Sequence, residues 1–189
     1  MRRWAVLSAG VAPFALIGGW TVAASRQPPS YHSVRDTISA LAEHGASDRW
    51  IMTVGLALLG SCHLATAAGL TEAATAGRVL LAVGGGATVA VALLPQPSSG
   101  HIPAATVGFI ALALWPAASR VPSRQSAFLA TTVLLALLVW LFVELGGGAL
   151  TGLSERCVAG AQALWPLGVV FRTLGGERAR RPSGSAARR

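Results

Sequence analysis

The sequence predicts an all-α membrane protein: a six-transmembrane-helix bundle with a short amphipathic outer-surface helix between spans 1 and 2. Three observations carry this. Of 189 residues 53% are hydrophobic and only 12% charged, with a mean hydropathy of +0.58, whereas an ordinary soluble domain carries about 25% charged residues. Six stretches approach the ~20 apolar residues that a helix needs to cross a bilayer. The charges gather between those stretches, as expected of helices that satisfy their own backbone groups in lipid.

The spans are expected at about 4–24, 50–70, 79–94, 102–118, 127–147 and 156–171. Together they form one domain, 1–174. The tail, 175–189, is rich in Gly, Ser, Pro and Arg with no apolar face, a composition that predicts disorder. The first span also has features of a signal peptide: "MRR", an apolar run, then "VAAS" with a small-residue cleavage position after Ala24. Its apolar run exceeds the ~7–15 residues of a signal h-region, which favours a retained span. Cleavage would leave five spans.

All fifteen basic residues are Arg. With the N-terminus inside, eleven lie on the inner side and four (Arg26, Arg35, Arg49 and Arg156) on the outer. The positive-inside rule then puts both termini in the cytoplasm, and the expected location is the bacterial plasma membrane. The net charge of +8 resides at segment ends and in the tail, which suits anionic lipid as a partner and gives no footprint for nucleic acid.

Gly84-Gly85-Gly86 and similar runs inside spans favour close helix approach. "ALWP" occurs at 113–116 and again at 163–166, each time in the inner half of a span running inward. Cys62 and Cys157 fall at depths more than about 10 Å apart at helical rise, too far for a disulfide.

The polar stretch "SVRDTISALAEHG" follows the first span. Ser33 with Asp36 three residues on is a partial capping box. Val34, Ile38 and Leu41 recur on one helical face, and Gly45 sits where a helix would stop. A helix over 34–44 lying on the outer surface is the expectation.

The outer side collects Arg35, Asp36, Glu43, His44, Asp48, His101, Glu144, Glu155 and Arg156. Glu144 lies among apolar residues at the edge of the fifth span and needs a partner; Arg156 is the natural one, for Glu144 or for Asp36. The sixth span looks short, which would draw the turn carrying Glu155 and Arg156 into an outer vestibule. No His or acidic pair has a metal-ligand spacing such as HxxxH or HExxH, so no metal and no cofactor are expected. Ser39 is a conceivable nucleophile beside Asp36 and a His, although the chain lacks the GxSxG turn. His63 in mid-span reads as a buried histidine or as part of a proton relay.

Three segments resemble a bacterial and archaeal membrane family, the domain of unknown function 998: "RDTISALAEHG", "LLPQPSSGHIPAA" and "GLSERCVAGAQALWPLGVVFR". The likeness runs from about Trp4 to Arg172 and rests on Arg35, Asp36, Ser39, Leu41, Pro95, His101, Glu155 and Arg156. An acidic residue that often follows the Pro of the second segment in that family is missing here. The resemblance implies a six-helix bundle and brings no activity with it.

The leading functional expectation is a non-enzymatic protein that binds a lipid headgroup, a small amphiphile or a protein partner in an outer polar pocket. Arg35, Asp36, Ser39, His101, Glu144, Glu155 and Arg156 are its candidate residues. Two alternatives stand beside it. One is an intramembrane lipid hydrolase or transferase using Asp36, Ser39, His101 and Glu144; the other is a small transporter with His63 and the Gly runs along its path.

Overall fold

A computed structural model describes residues 1–179. It consists of α1 (Arg3–Ala24), α2 (Trp50–Gly69), α3 (Thr75–Leu93), α4 (His101–Ser119), α5 (Arg124–Leu145) and α6 (Thr151–Ala179). All six are long and apolar enough to cross a membrane, and no strand occurs among the described residues. The chain is a multi-pass membrane protein. Six crossings leave both ends of the bundle on one side, the terminal face; the loops before α2, α4 and α6 form the opposite loop face. Residues 175–179 of the expected tail continue α6, and 180–189 lie outside the described residues.

Helices adjacent in sequence pack against each other, and α6 closes the ring against α1. Small residues set the tightest crossing. A Cβ added to Gly60 on α2 would stand 2.5 Å from the carbonyl oxygen of Gly85 on α3, so two backbones meet where no side chain fits. The loop-side core joins Leu16, Ile38, Leu41, Met52 and Leu56. The terminal half is filled by Leu70, Leu81, Leu112, Trp115 and Val169. On the terminal face Arg78 donates to the carbonyls of Ala67 and Ala68 at 2.8 and 3.0 Å, satisfying acceptors that the end of α2 leaves open.

Two expectations about the loop face change. The helix foreseen over 34–44 is reduced to a four-residue 3₁₀ turn, Ser39–Ala42. The reason is competition for carbonyls. Those of Val34 and Arg35 accept from the amides of Leu153 and Gly152 at 2.9 and 3.1 Å, and those of Ser33 and Asp36 accept from Arg156 at 2.7 and 2.9 Å. The segment therefore caps the N-terminus of α6 instead of bonding to itself. Half of its apolar stripe survives: Ile38 and Leu41 are buried, while Val34 is 49% exposed.

The sixth helix, in turn, is not short. It starts at Thr151, because Val34 and Arg35 supply its first-turn acceptors and Thr151 donates from Oγ1 to the carbonyls of Glu144 and Gly148 at 3.0 and 3.1 Å. Glu155 and Arg156 consequently sit in its second turn, on a regular helix.

Candidate functional site

Glu155 is the hub of the loop face. It is 7% exposed. Its carboxylate accepts a short hydrogen bond from the amide of Ile38 and a longer one, 3.4 Å, from the hydroxyl of Ser39. A carboxylate carried on a membrane-spanning helix needs such donors, and the start of the 3₁₀ turn provides them. Ser39 also lies 3.1 Å from Nε2 of His101. The imidazole donates from Nδ1 to the carbonyl of Leu94 at 2.8 Å, so in the neutral ring Nε2 is the acceptor. The single hydroxyl proton of Ser39 has two acceptors to choose between, His101 across the shorter contact and Glu155 across the longer. Three polar side chains from the loop, α4 and α6 thus meet at one point.

Arg156, one residue on, points to the other side of the helix. Its guanidinium donates to the carbonyls of Ser33, Asp36 and its own helix's Gly152, the last at 2.9 Å. It also donates to the phenol oxygen of Tyr31 at 2.6 Å and stands 6.0 Å from the ring centre of Trp20, within cation–π range. It is a clamp between the loop and the helices. Burial raises the Tyr31 phenol above its ordinary range, and Arg156 partly offsets this.

The ion partners expected for Arg156 do not form. The carboxylate of Asp36 accepts from Arg35, at 3.0 Å from Nε and 3.1 Å from a terminal nitrogen, and from the His32 amide at 2.7 Å. The Arg35 hydrogen bonds hold its carboxyl below the usual carboxylate range. Arg35 and Asp36 line a separate open hollow with Gln27 and Tyr31. Glu144 accepts from the Trp140 indole at 3.2 Å and the Leu150 amide at 2.9 Å, holding the turn before α6. Of the four residues foreseen for catalysis, Ser39 and His101 come together, whereas the carboxylates of Asp36 and Glu144 serve the loops. Glu155 takes their place.

Two hollows meet at this cluster. A cleft of about 150 Å³ runs between α4 and α5, with Ser39, His101 and Glu155 on its inner wall and Ile102, Leu138, Phe142 and Leu145 along its length. Ile102, Phe142 and Leu145 are 71%, 52% and 56% exposed, so the cleft opens sideways, towards lipid. Behind it lies an internal chamber of about 60 Å³, which shares Ser39, Ala105, Phe109 and Glu155 with the cleft and reaches inward to His63 and Gln162. The terminal-half core lies beyond. No cluster suited to a metal ion occurs among the described residues.

Sequence reasoning missed Gln162, Tyr31 and the acceptor role of the Leu94 carbonyl. Gln162 carried a readable signal: with Glu155 and Ala159 it falls at i, i+4 and i+7, one helical face. The Leu94 carbonyl carried none, since a backbone acceptor has no residue identity.

A family model described as Protein of unknown function (DUF998) matches residues 9–172. No curated protein and no solved structure matches the chain.

Proposed function

The chain belongs to this family over most of its length, and since the description names no activity, we propose from the site itself that the protein binds an amphiphile from the leaflet on its loop face. The hydrocarbon chain lies in the cleft between α4 and α5, and the polar end is received by Ser39, His101 and Glu155. One observation carries the reading: a polar cluster built from three elements, with His101 and Glu155 buried and Ser39 half-buried, closes the inner end of a cleft whose outer walls are exposed apolar side chains. Ligand sites combine a mostly apolar lining with a few placed polar groups in this way. The Arg asymmetry supports a loop face on the extracytoplasmic side, and the reading takes the membrane to be the plasma membrane.

The Ser39–His101 hydrogen bond favours a second reading, acyl hydrolysis or transfer. In that chemistry the Ser39 oxygen bonds to an ester carbonyl carbon as His101 Nε2 takes its proton, the alcohol leaves carrying that proton, and water or an acceptor hydroxyl, deprotonated by His101, then takes the acyl group as the proton returns to Ser39. The first reading is preferred because the second nitrogen of His101 rests on a carbonyl instead of a carboxylate. The Ala40 amide, a candidate oxyanion donor, is also engaged by Thr37 at 3.1 Å.

The test is thermal unfolding of the full chain in nanodiscs titrated with lauroylglycerol, with product analysis in parallel. Saturable stabilisation that Ile102→Trp abolishes, with Ser39→Ala still binding and no fatty acid released, supports binding. Release of fatty acid that Ser39→Ala removes supports the enzyme. Absence of any saturable effect refutes both.

A further inference from the structure

His63 is, among the described residues, a buried side chain with both polar atoms unpartnered. It is 1% exposed, about 20 Å along α2 from Trp50 at helical rise, and neither of its ring nitrogens has a hydrogen-bond partner. Such a group inside a membrane protein calls for one. It faces the internal chamber, together with Gln162 and Thr88. Gln162 donates from Nε2 to the carbonyl of Phe109 at 2.9 Å, and no protein donor reaches its Oε1. Thr88 donates to the Gly84 carbonyl at 2.8 Å, which leaves its hydroxyl oxygen free to accept. The chamber floor therefore offers three acceptors, Gln162 Oε1, Thr88 Oγ1 and one His63 nitrogen, against two donors, the other His63 nitrogen and the second amide proton of Gln162.

Its mouth has the same bias. Glu155 has room for further hydrogen bonds, since a carboxylate accepts about four and Ile38 and Ser39 fill at most two. No Arg lines the chamber or the cleft. A phosphate or carboxylate headgroup would find no Arg among the residues lining either hollow, only the acceptor oxygens of Glu155 at the mouth. A neutral group with several O–H donors meets the reverse: acceptors at the mouth, then acceptors on the floor about 10 Å deeper, taking the rise along α6 from Glu155 to Gln162.

We propose that the chamber around His63 is the headgroup compartment of the cleft, and that the ligand is a neutral amphiphile bearing at least two hydroxyls. The first hydroxyl is held at Ser39, His101 and Glu155; the next reaches the Gln162 and His63 floor. This rests on the amphiphile-binding reading above and adds the compartment and the ligand class.

The test compares three C12 probes in phosphatidylcholine nanodiscs holding the full chain: the ether dodecylglycerol (two hydroxyls, not hydrolysable), dodecanol (one) and dodecyl phosphate (anionic). Half-saturation is read from thermal unfolding. Dodecylglycerol is expected to saturate at a bilayer mole fraction at least tenfold below dodecyl phosphate. His63→Leu should weaken dodecylglycerol about tenfold and leave dodecanol within twofold, a difference that general damage to the fold would not produce. Ala159→Leu narrows the chamber without removing a polar group and should repeat the pattern. If dodecyl phosphate binds as well as dodecylglycerol, the ligand class is overturned while the cleft stands. If both variants bind dodecylglycerol as the wild type does, the compartment is overturned. If no probe saturates, the cleft reading fails and this inference with it.

Discussion

Arg156→Ala isolates the interaction that holds the loop over the site. The side chain makes three hydrogen bonds to the loop, to the Ser33 carbonyl, the Asp36 carbonyl and the Tyr31 phenol. The first is exposed and the other two part-buried, so water replaces some of what is lost. At about 1 kcal/mol each, below the ~1.5–3 kcal/mol of charge-assisted bonds because of that exposure, removal weakens the closed loop by about 3 kcal/mol. One decade corresponds to about 1.4 kcal/mol, so the open population should rise about 100-fold. Hydrogen–deuterium exchange reads this directly, because the Gly152 and Leu153 amides donate to the Arg35 and Val34 carbonyls and exchange only when the loop lifts. Peptides covering 30–45 and 150–158 should exchange about 100-fold faster, while those around Gly60 and Gly85 stay as in the wild type. Arg156→Lys should fall between, since one ammonium cannot reproduce a planar fork. An exchange rate within threefold of wild type in Arg156→Ala, with the bundle intact, would refute the clamp.

Other outcomes follow from the same contacts. Gly152→Ala places a Cβ against the carbonyl oxygens of Asp36 and Ser33; it should deprotect the same peptides without changing any charge. Gly60→Val drives a branched side chain into the Gly85 carbonyl and the Val89 backbone, and should lower the unfolding temperature by more than any loop variant, as overpacking costs about 1–3 kcal/mol or more. The depressed carboxyl of Asp36 fixes a pH dependence: its contribution is present above the ordinary carboxylate range and lost as the pH falls through that range and below it. Loop protection should therefore weaken in acid, and Asp36→Asn should flatten that part of the profile.

The six spans were legible because a bilayer imposes a length and a polarity that composition alone can meet. The span boundaries agree to a few residues wherever a helix ends in solvent-facing turns, as at Ala24 and Trp50. Nearly all of the candidate residues were also legible as residues, because ionisable groups are so rare in this chain. Their pairing was not. Arg156 looked like an ion partner and is a carbonyl donor. Asp36 and Glu144 looked like site carboxylates and hold turns. Glu155, expected in a turn before α6, is the carboxylate that enters the bundle.

Sequence by itself determined that this chain crosses a membrane six times, that its polar groups cluster on one face, and that Ser39 and His101 belong to that face. Periodicity and charge count settle such matters because each depends on one segment at a time. Only the tertiary structure decided where the carbonyls of 33–36 find their donors. The sequence favoured a helix bonded to itself; the open amides at the N-terminus of α6 and the charge-assisted donors of Arg156 took those carbonyls instead. That choice shortened the loop helix, lengthened α6 and turned Glu155 inward to Ser39 and His101.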